Sequence, residues 1–367
     1  MDFGLSEEQE LLQATVRQFL ERECPPTRLR QIFESESGEA PDLWKGMVEL
    51  GLTGLAIPEA QGGAELGLLE LALVCEELGY GAAPGPYLGH ALASLAITRG
   101  GSPAQRERWL PQLASGTAIG TVAIGEGGGL WDPTEWTLPA GDTLHGAKAY
   151  VPGGEEADLF VVGLAGGNLA VVEGVSSGVE VCPVEAVDRT RRVAQVTFDG
   201  ASAELLEEGA AAAPKLRDAA LILLAADAFG GASRCLEMAV EYAKTREQFG
   251  VTIGHFQSLK HQLADMALEI EPARALWWYA AHAHDAMPDR AERAAAVAKA
   301  HLTDAFMQVA RDTVEAHGGI GFTWECDVQI WFKRAMFDRA FFGSPAVHRE
   351  RAAQLAGWSA RASTEDS

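Results

Sequence analysis

The hydrophobic period of this 367-residue chain switches twice, and that change limits the fold more than any single motif. Up to about residue 118, apolar residues recur at helical spacing. Ser6 followed by Gln9 forms a capping-box signature, after which Leu11, Leu12, Val16 and Leu20 lie on one face. Pro25 and Pro26 are expected to end that helix. A second run covers Leu43 to Leu50, and LGLLELALVCEELGYGAAPGPYL reads as a strongly apolar helix closed by Gly79 and Gly81. From about Thr121 the pattern becomes TVAIGEGGG, DTLHGAKAYVPG, ADLFVVGLAGGNLAVVEG and RRVAQVTFDG. These are short β-branched and aromatic runs between glycine-rich turns, as in a small antiparallel sandwich or barrel. From Lys215 to about Leu355 the helical period returns in segments near 215–245, 256–285, 289–316 and 325–342, with a short one from Pro345. The chain is therefore expected to be α+β: an N-terminal all-α domain (1–118), a central small antiparallel β-domain (119–205), a C-terminal four-helix bundle (206–358) and a disordered tail (359–367).

Composition excludes some roles. The formal net charge is −23, which opposes nucleic-acid or anionic-membrane binding. Cys24, Cys75, Cys182, Cys235 and Cys326 are scattered, with no CxxC pair, as expected of reduced thiols rather than disulfides or a zinc site. The acidic N-terminus does not resemble a signal peptide, and no apolar stretch approaches the ~20 residues that span a bilayer, so a cytoplasmic protein without membrane insertion is expected.

Taken alone, the polar candidates are ambiguous. Arg246 offers a planar fork suited to a pyrophosphate oxygen or to a surface ion pair. Phe249 before Gly250 suits either packing on an adenine or capping a helix. Gln257 and His255 suit a ribose, or simply the polar side of a helix. Gly318, Gly319 and Gly321 permit close backbone approach, or end a helix.

The segments EYAKTREQFGVTIGHFQSLKHQLADMA (241–267) and EAHGGIGFTWECDVQIWFKRA (315–335) resemble the acyl-CoA dehydrogenase family. LSEEQELL, GLAIPEAQGG and the three-block order agree with this, so the resemblance covers nearly the whole chain. It implies an FAD at a dimer interface, an acyl-CoA substrate, an acid that removes the α-proton, hydride transfer from the β-carbon to the flavin, and an electron-transfer acceptor protein. It also implies that Arg246, Phe249, Gln257 and the Gly318–Gly319 turn grip the ADP half of an FAD seated on the neighbouring subunit.

Departures from the family are equally informative. Glu315 stands where the family usually has Gln, and would repel a pyrophosphate. The family's Thr-Glu-Pro-Gly-Ala-Gly-Ser-Asp loop, which contacts flavin and substrate, appears as IGEGGGLWDP without the serine. The aromatic that faces the flavin is Tyr150, while the hydroxyl position near the flavin's reactive nitrogen is Pro152, which has no donor. Phe342, before Gly343-Ser344, occupies the base position, and Ala220 occupies the alternate one. Asp227, seven residues further along the same helix, is a candidate displaced base whose apolar setting, LILLAADAFGG, should raise its pKa. The competing role for it is a structural contact. Three functions follow: a base-lacking partner of a catalytic subunit in a hetero-oligomer, resembling assemblies that include steroid side-chain degraders; a self-sufficient homo-oligomer using Asp227; or a non-catalytic acyl-CoA binder or scaffold.

Overall fold

The computed structural model describes residues 4–36, 38 and 40–358, so the expected tail from 359 lies outside the described residues. The first helical block holds α1 (Glu7–Glu23), α2 (Pro26–Glu34), α3 (Pro41–Glu49), α4 (Leu68–Tyr80), α5 (Tyr87–Gly100) and α6 (Pro103–Ala114). The Ser6 capping box forms: the Ser6 hydroxyl accepts from the Gln9 amide at 3.3 Å, and the Gln9 side chain returns the bond at 2.9 Å. Pro25 and Pro26 do end α1, but Pro26 also opens α2, where its fixed φ suits a first helical residue. α5 is buried almost all round, so no apolar stripe marks it in sequence.

The strands are β1 (Gly120–Ala123), β2 (Thr143–Pro152), β3 (Leu159–Leu164), β4 (Asn168–Glu173), β5 (Val179–Val184), β6 (Val193–Ser202) and β7 (Glu204–Leu205). They form two sheets, ordered β1-β3-β4-β7 and β2-β6-β5. Pairing is antiparallel as expected, except that β1 and β3 run parallel. The reason is topological: between them the chain crosses to the other sheet to make β2, and so re-enters in the same direction.

The second helical block comprises α7 (Gly209–Thr245), a small hairpin of β8 (Glu247–Gln248) and β9 (Val251–Thr252), α8 (Gln257–Ile270), α9 (Arg274–Ala286), α10 (Pro288–His317), α11 (Val328–Ala340) and α12 (Pro345–Leu355). The expected 256–285 helix is interrupted by a 3₁₀ turn at Glu271–Ala273, where Pro272 cannot donate to the helical ladder. Contrary to the sequence expectation, α7 is long and apolar enough to cross a bilayer. It is instead mostly buried at the centre of the bundle.

Glycines set how closely the neighbours of α7 approach. A Cβ on Gly230 would lie 1.8 Å from the Glu76 carbonyl oxygen, and one on Gly79 would lie 2.0 Å from that of Asp227. Gly79 therefore does not close α4. It lies within that helix and, with Gly230, lets α4 and α7 cross in backbone contact.

Candidate active site and cofactor surface

Helix α11 stops at Ala340. Phe341 is extended, Phe342 adopts φ +59° and Gly343 φ +98°, after which Ser344 caps α12. A phenylalanine in the left-handed region costs roughly 1 kcal/mol or more, so the surroundings must hold it there. They do so from two sides. His348 Nε2 donates to the Phe342 carbonyl at 2.8 Å, and the Phe342 ring, only 2% exposed, stacks on Trp131 with centroids 5.3 Å apart. Burial pushes the His348 imidazole down to about 4, aided by nearby Lys299, so the ring is neutral at pH 7.

Trp131 belongs to the glycine-rich loop that follows β1. It also meets the edge of Phe341 at 5.0 Å and lies 6.1 Å from Tyr150. Tyr150 lies in the interval where the β2–β6 register shifts, at φ +55°, and this irregularity leaves its ring 45% exposed. The loop is anchored by Glu126, which accepts from Lys148 Nζ at 2.5 Å, from the Thr137 amide and from the Leu138 amide. Burial raises the Glu126 carboxyl, but Lys148 and Thr137 outweigh that and hold it at about 2. The structure thus brings together Phe342, Tyr150 and the IGEGGGLWDP loop. Trp131, the residue at their meeting point, was not singled out by sequence; its only signal was an aromatic in a glycine loop.

Both expected base positions lack an acid. Ala220 is fully buried on α7. Asp227 does not have the apolar, pKa-raising environment expected of it. It is 0% exposed and accepts from Arg334 Nε at 2.8 Å, from Arg334 Nη2 at 2.6 Å and from Arg191. Burial pushes its carboxyl up, but the two guanidiniums prevail and hold it at about 2, too weak a base for proton abstraction at neutral pH. The neighbouring Asp338 carries the opposite shift. Burial and the Asp227 charge push it well above the carboxylate range, so Asp338 is the proton-bearing member of the pair. Arg191, Arg334 and Asp338 were invisible as a group because 36 and 107 residues separate the two arginines from Asp227.

The expected ADP-binding residues sit at the far end of the bundle. Tyr242 stacks on His317 with centroids 4.3 Å apart, joining the ends of α7 and α10 and so bringing the Arg246 and Gly318 segments side by side. Arg246 caps α7, is exposed, and has no side-chain partner among the described residues. Phe249 stands 93% exposed in the β8–β9 turn at φ +55°, edge-on to Phe256. Gln257 opens α8 and contacts His261 at 2.9 Å. Gly318 ends α10 at φ +63°. Gly319 has no positive φ, and a Cβ there would meet open space, so the chain's own packing does not require glycine at that position. Glu315 is exposed on a 510 Å³ cleft that Arg311 and Lys333 also line. An unpaired guanidinium, an uncovered ring and an open glycine turn are the donor set that a phosphate-bearing aromatic ligand uses, so these residues fit the ADP half of FAD.

Three helical and β blocks in this order, with a glycine loop facing the α11–α12 turn, define an acyl-CoA dehydrogenase-type flavoprotein fold. Family models agree: the acyl-CoA dehydrogenase N-terminal domain matches residues 6–117 and the C-terminal domain matches residues 208–356. The chain belongs to the acyl-CoA dehydrogenase family, whose members are FAD-dependent oxidoreductases acting on acyl-CoA. It is 36% identical over 348 residues to acyl-CoA dehydrogenase IpdE2 of Mycolicibacterium smegmatis, covering 95% of this chain and 98% of that protein. Among solved structures it is similar to a Tcur3481–Tcur3483 steroid acyl-CoA dehydrogenase variant, with TM-score 0.88, 34% identity and coverage of 96% and 98%. It is also similar to the ChsE4–ChsE5 complex of Mycobacterium tuberculosis, with TM-score 0.87, 28% identity and coverage of 98% and 100%.

Proposed function

We propose that this chain is the base-lacking subunit of a hetero-oligomeric acyl-CoA dehydrogenase, acting with a catalytic subunit that supplies the proton-abstracting acid. The observation that carries this reading is the contrast between the two ends of the molecule. The surface a subunit lends to its neighbour is open and unpaired at Arg246, Phe249 and Gly319, while the position of the base holds a buried phenylalanine. Under this reading Arg246, Phe249, Gln257 and the Gly318–Gly319 turn hold the ADP half of the FAD seated on the catalytic subunit. Bound there, FAD supplies the hydride acceptor for α,β-dehydrogenation of the acyl-CoA. Tcur3481–Tcur3483 and ChsE4–ChsE5 are both named as pairs of components, and the first is called a steroid acyl-CoA dehydrogenase, which favours a bulky steroid acyl-CoA as substrate. The self-sufficient alternative loses its best residue, because Asp227 is committed to two arginines.

The test is to purify the chain alone and with a candidate catalytic subunit, and to measure the flavin-to-protein ratio and reduction of an artificial electron acceptor with a panel of acyl-CoAs. Turnover is expected only from the pair. Arg246→Ala in the pair should remove a charge-assisted bond of ~1.5–3 kcal/mol and lower FAD affinity by about one to two orders of magnitude. Robust turnover by the chain alone, with one FAD per chain, would overturn the proposal.

A further inference from the structure

The segments that the family devotes to the flavin ring converge in this chain, and aromatic rings meet where they do. Trp131 stacks on Phe342 at an interplanar angle of 20°, meets Phe341 edge-on, and lies next to Tyr150. It also presses on its own loop, since a Cβ on Gly125 would fall 2.6 Å from the indole. Pro152 offers no donor, and its carbonyl is already taken by the Thr121 hydroxyl at 2.5 Å.

The charges beside this stack are likewise satisfied internally. Asp132, next to Trp131, accepts from Arg217 Nη1 at 3.1 Å and from Arg351 Nη1 at 2.6 Å, and Glu292 pairs with both arginines. The Trp131–Phe342 stack forms one wall of a 990 Å³ cleft between the β-domain and the bundle, whose charged lining is Asp132, Glu135, Glu292 and Glu350 against Arg217 and Arg351. With His348 neutral, a pyrophosphate entering here would meet excess negative charge and two guanidiniums that already have partners.

We infer that this chain's own flavin seat has become an interdomain strut: Trp131 occupies the ring position, and the Asp132–Arg217–Arg351–Glu292 network ties the β-domain loop to α7, α10 and α12. The residues do not fit a flavin. The inference rests on the base-lacking-subunit reading for its biological sense, because it makes the chain a donor of a half-site and not an acceptor of a cofactor.

The test uses lumiflavin, the isoalloxazine ring without the ADP half, so that binding does not depend on Arg246 of any neighbouring copy. Quenching of flavin fluorescence is titrated with wild type, Trp131→Ala and Phe342→Ala, with circular dichroism reporting the fold of each. Wild type should show no saturable binding, and either substitution, opening the seat from opposite walls, should raise affinity roughly tenfold or more. Saturable one-to-one binding by wild type would overturn the inference, as would two folded variants that bind no better than wild type. An Arg246→Ala assembly that keeps its full flavin content would instead sink the partner reading while leaving these titrations unaffected.

Discussion

Asp227→Asn tests whether this acid is structural or catalytic. The wild-type carboxylate faces three guanidinium donors, two from Arg334 and one from Arg191, and all three side chains are buried. The asparagine oxygen can still accept from two of these donors, but its amide then confronts the third N–H, and the lost carboxylate charge leaves buried positive charge uncompensated. Removing one member of a buried ion pair costs ~3–5 kcal/mol. Part of that loss should be offset by Asp338. Its Oδ1 lies 4.0 Å from Arg191 Nε, and its proton is retained by burial and by the charge of Asp227 beside it. Without that charge Asp338 can ionise and pair with Arg191, so the single substitution should cost about 3 kcal/mol, the low end of the range. Asp338→Asn alone replaces a carboxyl that is already neutral and should cost within ~1 kcal/mol, while the double substitution, which leaves only Asp188 near the two arginines, should exceed the sum of the singles. Urea unfolding at pH 7 measures all three. The pH dependence has a definite sign: the native pKa of Asp227 is depressed, so its contribution is present above ~4 and is lost as pH falls towards about 2; the Asp227→Asn variant should show a flatter acid limb. Turnover of the folded assembly should stay within a few-fold, whereas loss of a general base costs ~10²–10⁴. A destabilisation below ~1 kcal/mol, or additive singles, would refute the shared-proton account.

Glu76 is buried with Oε2 unbonded and Arg274 at 3.5 Å, and burial pushes its carboxyl up to about 7 against the pull of that arginine. Its native pKa is raised, so stability should decline as pH rises from about 4.5 to 7; Glu76→Gln should remove that slope, and a thermal-melt series in which the two proteins track each other would argue against it. Phe249→Ala removes an almost fully exposed ring, so the melting of the chain alone should change by no more than ~0.5 kcal/mol, while FAD retention by the assembly weakens. A large loss of stability in the isolated chain would mean that Phe249 packs within its own subunit.

The sequence by itself determined whatever depends on near neighbours. The two period switches, the Ser6–Gln9 box, the proline and glycine stops and the YAKTREQFG segment are local patterns, and local geometry enforces them. It also led to the expectation that Phe342 and Ala220 stand at the family's two base positions, since that requires only counting along a recognisable motif. Tertiary structure alone decided what those side chains face. Asp227 looked like an acid in an apolar helix because helical periodicity says nothing of arginines supplied by a linker and by α11. Gly79 looked like a stop because its sequence neighbours do not reveal that Gly230 brings another helix against it. Trp131 and Phe342 lie far apart in the chain, and their stacking arises only when the β-domain docks on the bundle. Burial and charge pairing are properties of packed surfaces, so the same residue types read as a possible base in one dimension and as a structural strut in three.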